Sequence, residues 1–578
     1  MKRRARRRNS SGARLPIFDL RTFRLWFDLL AQTFQSQREA LNELDRVIGD
    51  GDHGYTLARA FAAADDEITH ANPPDIGSLL DVAASALAEN AGGAIGPLLA
   101  AFFAEGGVVL QNKKTCSMDE LAEFFQNGAA AVSELGGARA GQKTLVDALL
   151  PAARVLVENR SSADPVDALE KALLAARSGA EATRQMPAVF GRAAFLGERS
   201  TGYLDPGAYS FTLIVEGLWF AASGKEGKRT DFQPEETQFV PAGKFVNHPE
   251  QMVQEDNQGL ALAHAGIVRF LEDGFLVRAS PKAAGKVGLA MGHGGGHTPS
   301  MGGLVGMGLL DADVSGPIFT CASGIKIARA IQLADRGAGV VLLVSNHSGD
   351  VLNARMALRR ASRMGIAVQP VYLGDDVATA PRSALDKRRG LGGLLFALKI
   401  GGAAAEDGQP LFEVVRLMEK TNLRTATLAV AVRAPTHPAS GKPLFDLPVG
   451  QMEIGTGVHG EAGVYRGAML PANQVVDLVL QRLLEDLGGL LQQSVVVFLN
   501  GSGGTSRMEL NILYRRVFYA LQEQGIQIAA GVVDSLFTTQ EMGGFSLSLC
   551  AVDDELEEWW RRPALAAHFR WPVDRICG

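Results

Sequence analysis

The stretch GVVLLVSNHSGDVLNARMALRRASRM, residues 339–364, reads as strand, turn and helix in succession. Residues 339–344 form a short β-branched run. The turn after it carries Ser345, Asn346, His347, Ser348, Gly349 and Asp350, and a helical pattern follows over 354–364. The same texture continues on both sides. Short β-branched runs lie at 287–291, 367–373, 427–432 and 495–499, with helical patterns at 325–336 and 473–487 between them. Strands alternating with helices predict α/β layers with mainly parallel sheets over 243–578. The stretch 435–448 (PTHPASGKPLFDLP) is rich in Pro and Gly and predicts two lobes, about 243–437 and 438–578.

Upstream, residues 15–223 read as helical. Segments such as 78–89 (SLLDVAASALAE) and 165–178 (PVDALEKALLAARS) repeat Ala and Leu at i, i+3 and i+4, and β-branched runs are scarce, so no sheet is expected. Residues 224–242 are charged, contain Pro and lack periodicity, which predicts a linker. The opening run MKRRARRRNSSGARLP has no apolar stretch behind it and is not a secretory signal. Residues 1–14 read as a disordered basic tail, or as a phosphate-seeking arm.

Composition sets outer bounds. The chain of 578 residues is 47% hydrophobic and 21% charged, as in globular proteins. Its net charge of −6 excludes a bulk nucleic-acid-binding surface. The longest apolar run, 90–110, holds five glycines, Pro97 and Glu105, so no membrane span is expected. Cys116, Cys321, Cys550 and Cys577 lack metal-like spacing and suit a reducing compartment, the cytoplasm.

The densest polar group is Asp45, Asp50 and Asp52, followed by His53 and punctuated by Gly49, Gly51 and Gly54, which predicts a loop at a helix end. Clustered carboxylates repel unless a cation holds them, and Mg²⁺ takes oxygen ligands and bridges to phosphates. The cluster reads as a Mg²⁺–nucleotide site or as a solvated acidic turn. A Gly-rich turn, Gly92-Gly93-Ala94-Ile95-Gly96, enters a helical stretch, where backbone N–H groups and the helix dipole can cradle phosphate. No Walker or protein-kinase pattern is present. In the α/β half, GHGGGHTP at 292–299 follows a strand-like run, and three glycines between His293 and His297 argue against a zinc helix. That segment, the turn ending in Asp350 and the histidine among glycines at 455–461 read as ligand-facing loops at strand ends.

Taken together these segments resemble the dihydroxyacetone kinases. The acidic motif, GQKTLVDALLPAA at 141–153 and GERSTGYLDPGA at 197–208 are similar to the nucleotide-binding, DhaL-type component over about 15–223. NHSGDVLN at 346–353, RRGLGGLLFALKIGGAAAEDG at 388–408, GTGVHGEAGV at 455–464 and FTTQEMGGFSLSL at 537–549 are similar to the substrate-binding, DhaK-type component over about 243–578. The resemblance implies an all-α helical barrel followed by a two-lobed α/β domain. It implies that His459 holds a ketone as a hemiaminal, that Asp350 accepts the proton of the terminal hydroxyl, that His297 polarises the substrate, and that Gly294 and Gly295 line its pocket. Asp45, Asp50 and Asp52 would hold Mg²⁺ on ATP. His53, Gly92, Gly93, Ala94, Ile95, Gly96, Lys143, Thr144, Arg192, Asp205, Pro206 and Gly207 would surround the nucleotide. A homodimer is implied, with a small ketose and ATP as the molecules bound.

The sequence departs from the family pattern in several places. The nucleotide domain comes first. Ile95 stands where a serine is usual, and Ser345 and His347 replace a common lysine and tyrosine. The altered pocket wall predicts a ketose such as erythrulose rather than dihydroxyacetone. The alternatives are a cyclising FAD-AMP lyase activity at the same nucleotide site and a non-catalytic ketose-binding regulator. A phosphoprotein-dependent version is disfavoured by the fusion, and a fatty-acid kinase by the His459 loop.

Overall fold

The computed structural model describes residues 18–49, 51–224, 244–271, 274–438, 441–491 and 494–572. The tail expected over 1–14, all of the expected linker except Gly224, Asp50 and Cys577 lie outside the described residues.

Nine helices of eleven residues or more build the first domain among the described residues, from Leu20–Ser36 to Pro206–Ser223. Their starts are marked by short polar caps. Asp19, Asp75 and Asp205 accept backbone N–H groups of Thr22, Ser78 and Ala208, and Ser117 with Glu120 closes a capping box. The apolar stripes converge on an aromatic core in which Phe23, Trp26, Phe27, Phe61, Phe102, Phe103 and Phe124 are buried. The indole N–H of Trp26 donates to the Ile214 carbonyl (2.9 Å), so even its polar edge is satisfied. One feature departs from the all-helical expectation: Phe18–Asp19 pairs antiparallel with Thr115–Cys116.

The second domain carries two six-stranded sheets. The first has the order Val268–Phe270, Phe275–Arg278, Ala312–Ile318, Gly288–Gly295, Val340–Val344, Val368–Tyr372, and its last four strands are parallel. The second has the order Tyr465–Ala468, Gln451–Ile454, Thr425–Arg433, Gly543–Val552, Ser494–Gly501, Gln527–Asp534. There only the last pair is parallel, which corrects the expectation of mainly parallel sheets. The cause is connectivity. Ser494–Gly501 and Gln527–Asp534 are joined through the helix Arg507–Glu523, as a parallel crossover requires. Thr425–Arg433 is central to the second sheet, so the change of sheet precedes the 435–448 stretch.

Period two is visible in the strand Ser494–Gly501. Val495, Val497 and Leu499 face one apolar cluster with the helices Ala472–Leu487 and Arg507–Glu523. Val496 and Phe498 face the other, which they share with the buried helix Leu394–Asp407 and with Leu289, Met291, Val341 and Leu343 of the first sheet. That helix wedges the two sheets together.

In the first sheet the chain leaves Gly288–Gly295 to one side and returns as Val340–Val344 on the other. This is a topological switch point, where a crevice opens at the carboxyl ends of strands. His297 and Asp350 follow those two strands.

Candidate active site

Asp45 lies in the last turn of the helix Arg38–Ile48, which corrects its expected place in a loop. The chain then turns through Gly49 and Gly51, and Asp52 precedes the helix His53–Ala71. One oxygen of Asp45 accepts the N–H groups of Gly51 (2.8 Å) and Asp52 (3.1 Å). One oxygen of Asp52 accepts the Thr320 hydroxyl of the second domain (2.7 Å). Burial, and then the nearby Asp45 carboxylate, push Asp52 up to about 7. A buried and a half-buried acid with oxygens left over suit a hard divalent cation.

The Gly-rich turn enters the helix Ile95–Gly107 beside these acids. Gly92, Gly93, Ala94 and Ile95 line the same cavity as Asp45, Asp52, His53, Thr144, Arg192, Asp205, Pro206 and Gly207. Gly96 does not line it; a Cβ there would sit 1.9 Å from the Ala91 carbonyl oxygen, so its glycine serves helix packing. Lys143 lines the wall, but its ammonium donates to the carbonyls of Thr183 (2.7 Å) and Tyr203, which makes it a brace for two loops rather than a phosphate hook. Burial pushes Asp205 up to about 7, where it caps the helix Pro206–Ser223 through Ala208 (2.7 Å).

On the α/β side the strand Gly288–Gly295 extends through His293, which corrects the expected loop beginning at 292. His293 is turned onto Asp313 (3.2 Å) and is structural. Gly294 lines the cavity, whereas Gly295 faces Val253 and does not. His297 and His459 meet with Nε2 to Nε2 at 3.1 Å. Their other nitrogens are both committed. His297 Nδ1 lies 2.7 Å from the Thr538 carbonyl, and His459 Nδ1 lies 3.4 Å from Glu461 Oε1. The Thr538 carbonyl only accepts, so His297 carries its hydrogen on Nδ1, and a hydrogen on His459 Nδ1, facing the Glu461 carboxylate, leaves both Nε2 atoms with lone pairs. Burial lowers both imidazoles and opposes a shared positive charge. Two facing lone pairs are best relieved by a group that brings an electrophilic carbon to one and a hydroxyl to the other.

Glu461 is itself built in. Burial alone would raise it, but the Arg389 guanidinium (3.7 Å) and the His459 ring hold it well below the ordinary carboxylate range. Its Oε2 also accepts the His459 backbone N–H (3.0 Å). Gly457 is required for this, since a Cβ there would lie 2.0 Å from that oxygen. Asp350 opens the helix Ser348–Arg363, accepts the Ser345 hydroxyl, and lies 3.6 Å from His347 Nδ1.

The two halves meet within one chain. Thr320 reaches Asp52, Arg192 donates to the Phe319 carbonyl (2.9 Å), and Asn353 donates to the Gly93 carbonyl (3.1 Å). A single cavity of about 890 Å³ runs from Asp45 and Asp52 past Gly92 and Gly93 to Asp350, His297 and His459. Arg389, Glu461, Phe319, Thr320 and Thr538 carry parts of this site without having been assigned a role from the sequence. The adjacent arginines before the GLGG of 390–393 are a signal for the first of these. Phe319 and Thr320 have none, because a turn acquires meaning only from what docks on it.

A family model described as the Dak1 domain matches residues 258–568, and one described as the DAK2 domain matches 47–220. The chain belongs to the dihydroxyacetone kinase family. It carries the DAK2 region ahead of the Dak1 region. It is 38% identical over 330 residues to an L-erythrulose kinase of Pectobacterium atrosepticum, covering 56% of each chain. It is 36% identical over 312 residues to the dihydroxyacetone-binding subunit DhaK of a PTS-dependent dihydroxyacetone kinase of Listeria innocua, covering 54% of this chain and 95% of that subunit. The crystal structure of the dihydroxyacetone kinase from C. freundii in complex with AMP-PNP and Mg²⁺ aligns with a TM-score of 0.51 at 28% identity, over 57% of this chain and 60% of that one. The match to the erythrulose kinase thus spans little more than half of that relative's length.

Proposed function

We propose that this family member is an ATP-dependent kinase of short ketoses, phosphorylating a terminal hydroxyl while His459 holds the ketone carbon. The observation that carries this reading is the imidazole pair. The lone pair of His459 Nε2 adds to the carbonyl carbon, the alkoxide so formed takes a proton from water in the open cavity, and the resulting hydroxyl donates to His297 Nε2. Positive charge on the alkylated His459 ring is balanced by Glu461. A polyol without a carbonyl gains none of this, which separates ketoses from glycerol. Asp350, at the other wall of the cavity, accepts the proton of the terminal hydroxyl as its oxygen attacks the γ-phosphorus.

Asp45 and Asp52 fit a Mg²⁺ ion and would hold it together with Asp50. The ion supplies neutralisation of the triphosphate charge. The Gly92–Gly93 turn, Thr144 and Arg192 bound the space for the phosphates. The erythrulose and dihydroxyacetone named for the relatives are the first substrates to test, with a tetrulose favoured by Ser345 and His347 in the pocket wall. A homodimer and a cytoplasmic location belong to the same proposal. Among the described residues no helix is long and apolar enough to cross a membrane, and Cys116, Cys321 and Cys550 are free and buried.

The test is an ADP-release screen over C3 to C5 ketoses and aldoses with MgATP. Turnover is expected with ketoses, and its loss in His459→Ala. Undiminished turnover in His459→Ala, or equal use of glycerol, overturns the reading.

A further inference from the structure

His347 has its ring centroid 5.9 Å from that of His459. Its Nδ1 faces Ser345 Oγ (3.4 Å) and Asp350 (3.6 Å). Its Nε2 is buried and has no hydrogen-bond partner among the described residues. An imidazole nitrogen removed from water without a partner costs free energy unless something fills the gap. The ring belongs to a donor set: one ligand atom each from His347, His459 and Glu461 lies within 4.8 Å of the other two.

We propose that His347, His459 and Glu461 form a binding site for a borderline divalent metal ion, Zn²⁺ above all, distinct from the acidic turn that suits Mg²⁺. Two imidazoles and one carboxylate form the three-ligand set that leaves a fourth position open on zinc. Nitrogen and oxygen donors bind zinc at roughly 2.0–2.2 Å, which sets tetrahedral ligands about 3.4 Å apart, so separations of up to 4.8 Å close by at most about 1.4 Å when the ion enters. His347 can make that movement, because its Nε2 has no bond to break. The surroundings tolerate the charge, since Glu461 and Asp350 are negative and, of the nearby Arg192 and Arg389 guanidiniums, Asp376 already pairs Arg389 at 2.7 Å. Magnesium, which prefers oxygen ligands, is not expected to compete.

The consequence rests on the ketose-kinase reading. A metal on either nitrogen of His459 withdraws the electron pair that would add to a carbonyl, so zinc and ketose exclude each other.

The experiment uses the full chain stripped with EDTA and held in excess Mg²⁺, which occupies the acidic turn. Calorimetric titration with ZnCl2 should give one tight site per chain, with Kd of about 1 μM or below. Co²⁺ in its place should give the intense visible bands of a four-coordinate N/O site. His347→Tyr and His347→Gln, both checked for native thermal unfolding, should each weaken the site by at least about tenfold, or 1.4 kcal/mol. Zinc should raise the apparent KM for ketose in the unmodified protein and much less in either variant. The inference is overturned if the unmodified protein binds no stoichiometric Zn²⁺, or if both variants bind it within about twofold of the original affinity. Absence of ketose turnover in metal-stripped protein with MgATP would instead overturn the kinase reading and leave the binding measurement to stand by itself.

Discussion

Replacing Glu461 with Gln tests the imidazole pair most directly. The substitution keeps shape and volume, and Arg389 retains Asp376 at 2.7 Å, so the fold is expected to survive. What changes is the charge facing His459 Nδ1. At an effective dielectric constant of about 20, a unit positive charge 3.4 Å from a carboxylate gains about 5 kcal/mol. The charge of an alkylated imidazole is shared between two nitrogens, so roughly 2–3 kcal/mol is tied to Nδ1. Its loss predicts a fall of roughly 30- to 150-fold in kcat/KM for ketose. The carboxamide can also turn its NH2 toward Nδ1, which would move the ring hydrogen to Nε2 and remove the nucleophilic lone pair. ADP-release kinetics measures the fall, and ¹³C NMR of a ketose labelled at the carbonyl carbon measures loss of the adduct. A variant within about threefold of the original kcat/KM, with the adduct intact, would refute the role given to Glu461.

Gly92→Ala puts a methyl group 2.0 Å from Thr320 Cγ2 and 2.8 Å from the Cys321 carbonyl, forcing the domains apart at the phosphate turn; kcat should fall by at least about 100-fold, with the thermal unfolding of the helical domain unchanged. Asp52, raised to about 7, must lose its proton to ligate a cation, so calorimetric Mg²⁺ affinity should climb as pH rises toward 7 and level off above it, and Asp52→Asn should bind weakly at every pH. Lys399 is buried with its Nζ 3.3 Å from the Trp559 carbonyl, and burial lowers it from 10.5 to about 7. The unfolded chain then binds its proton more tightly, so stability rises between pH 7 and 10.5 by on the order of 5 kcal/mol, and that gain is lost again as pH falls from 10.5 to 7. Lys399→Met should flatten that slope in denaturant melts and be more stable than the unmodified protein below pH 7.

The elements that short-range chemistry dictates were legible residue by residue. Ala and Leu spacing over 78–89 and 165–178 was enough for the helices Ile76–Asn90 and Pro165–Ala182, and β-branched runs at 339–344 and 495–499 were enough for the strands Val340–Val344 and Ser494–Gly501. Glycine-spaced motifs singled out Asp45, Asp52, Asp350 and His459 as candidates, and the fold brings all four to the wall of one cavity. Tertiary structure decided what no local pattern encodes. The second sheet is mostly antiparallel because its connections are chosen over long range. Gly96 and Gly295 turned out to serve packing, and Lys143 a brace, because a side chain's use depends on which partner the fold brings within hydrogen-bond reach. The facing of His297 and His459 at 3.1 Å, across 162 residues of chain, is the clearest case. Their lone pairs oppose each other only because Thr538 and Glu461, from separate segments, hold the other two nitrogens.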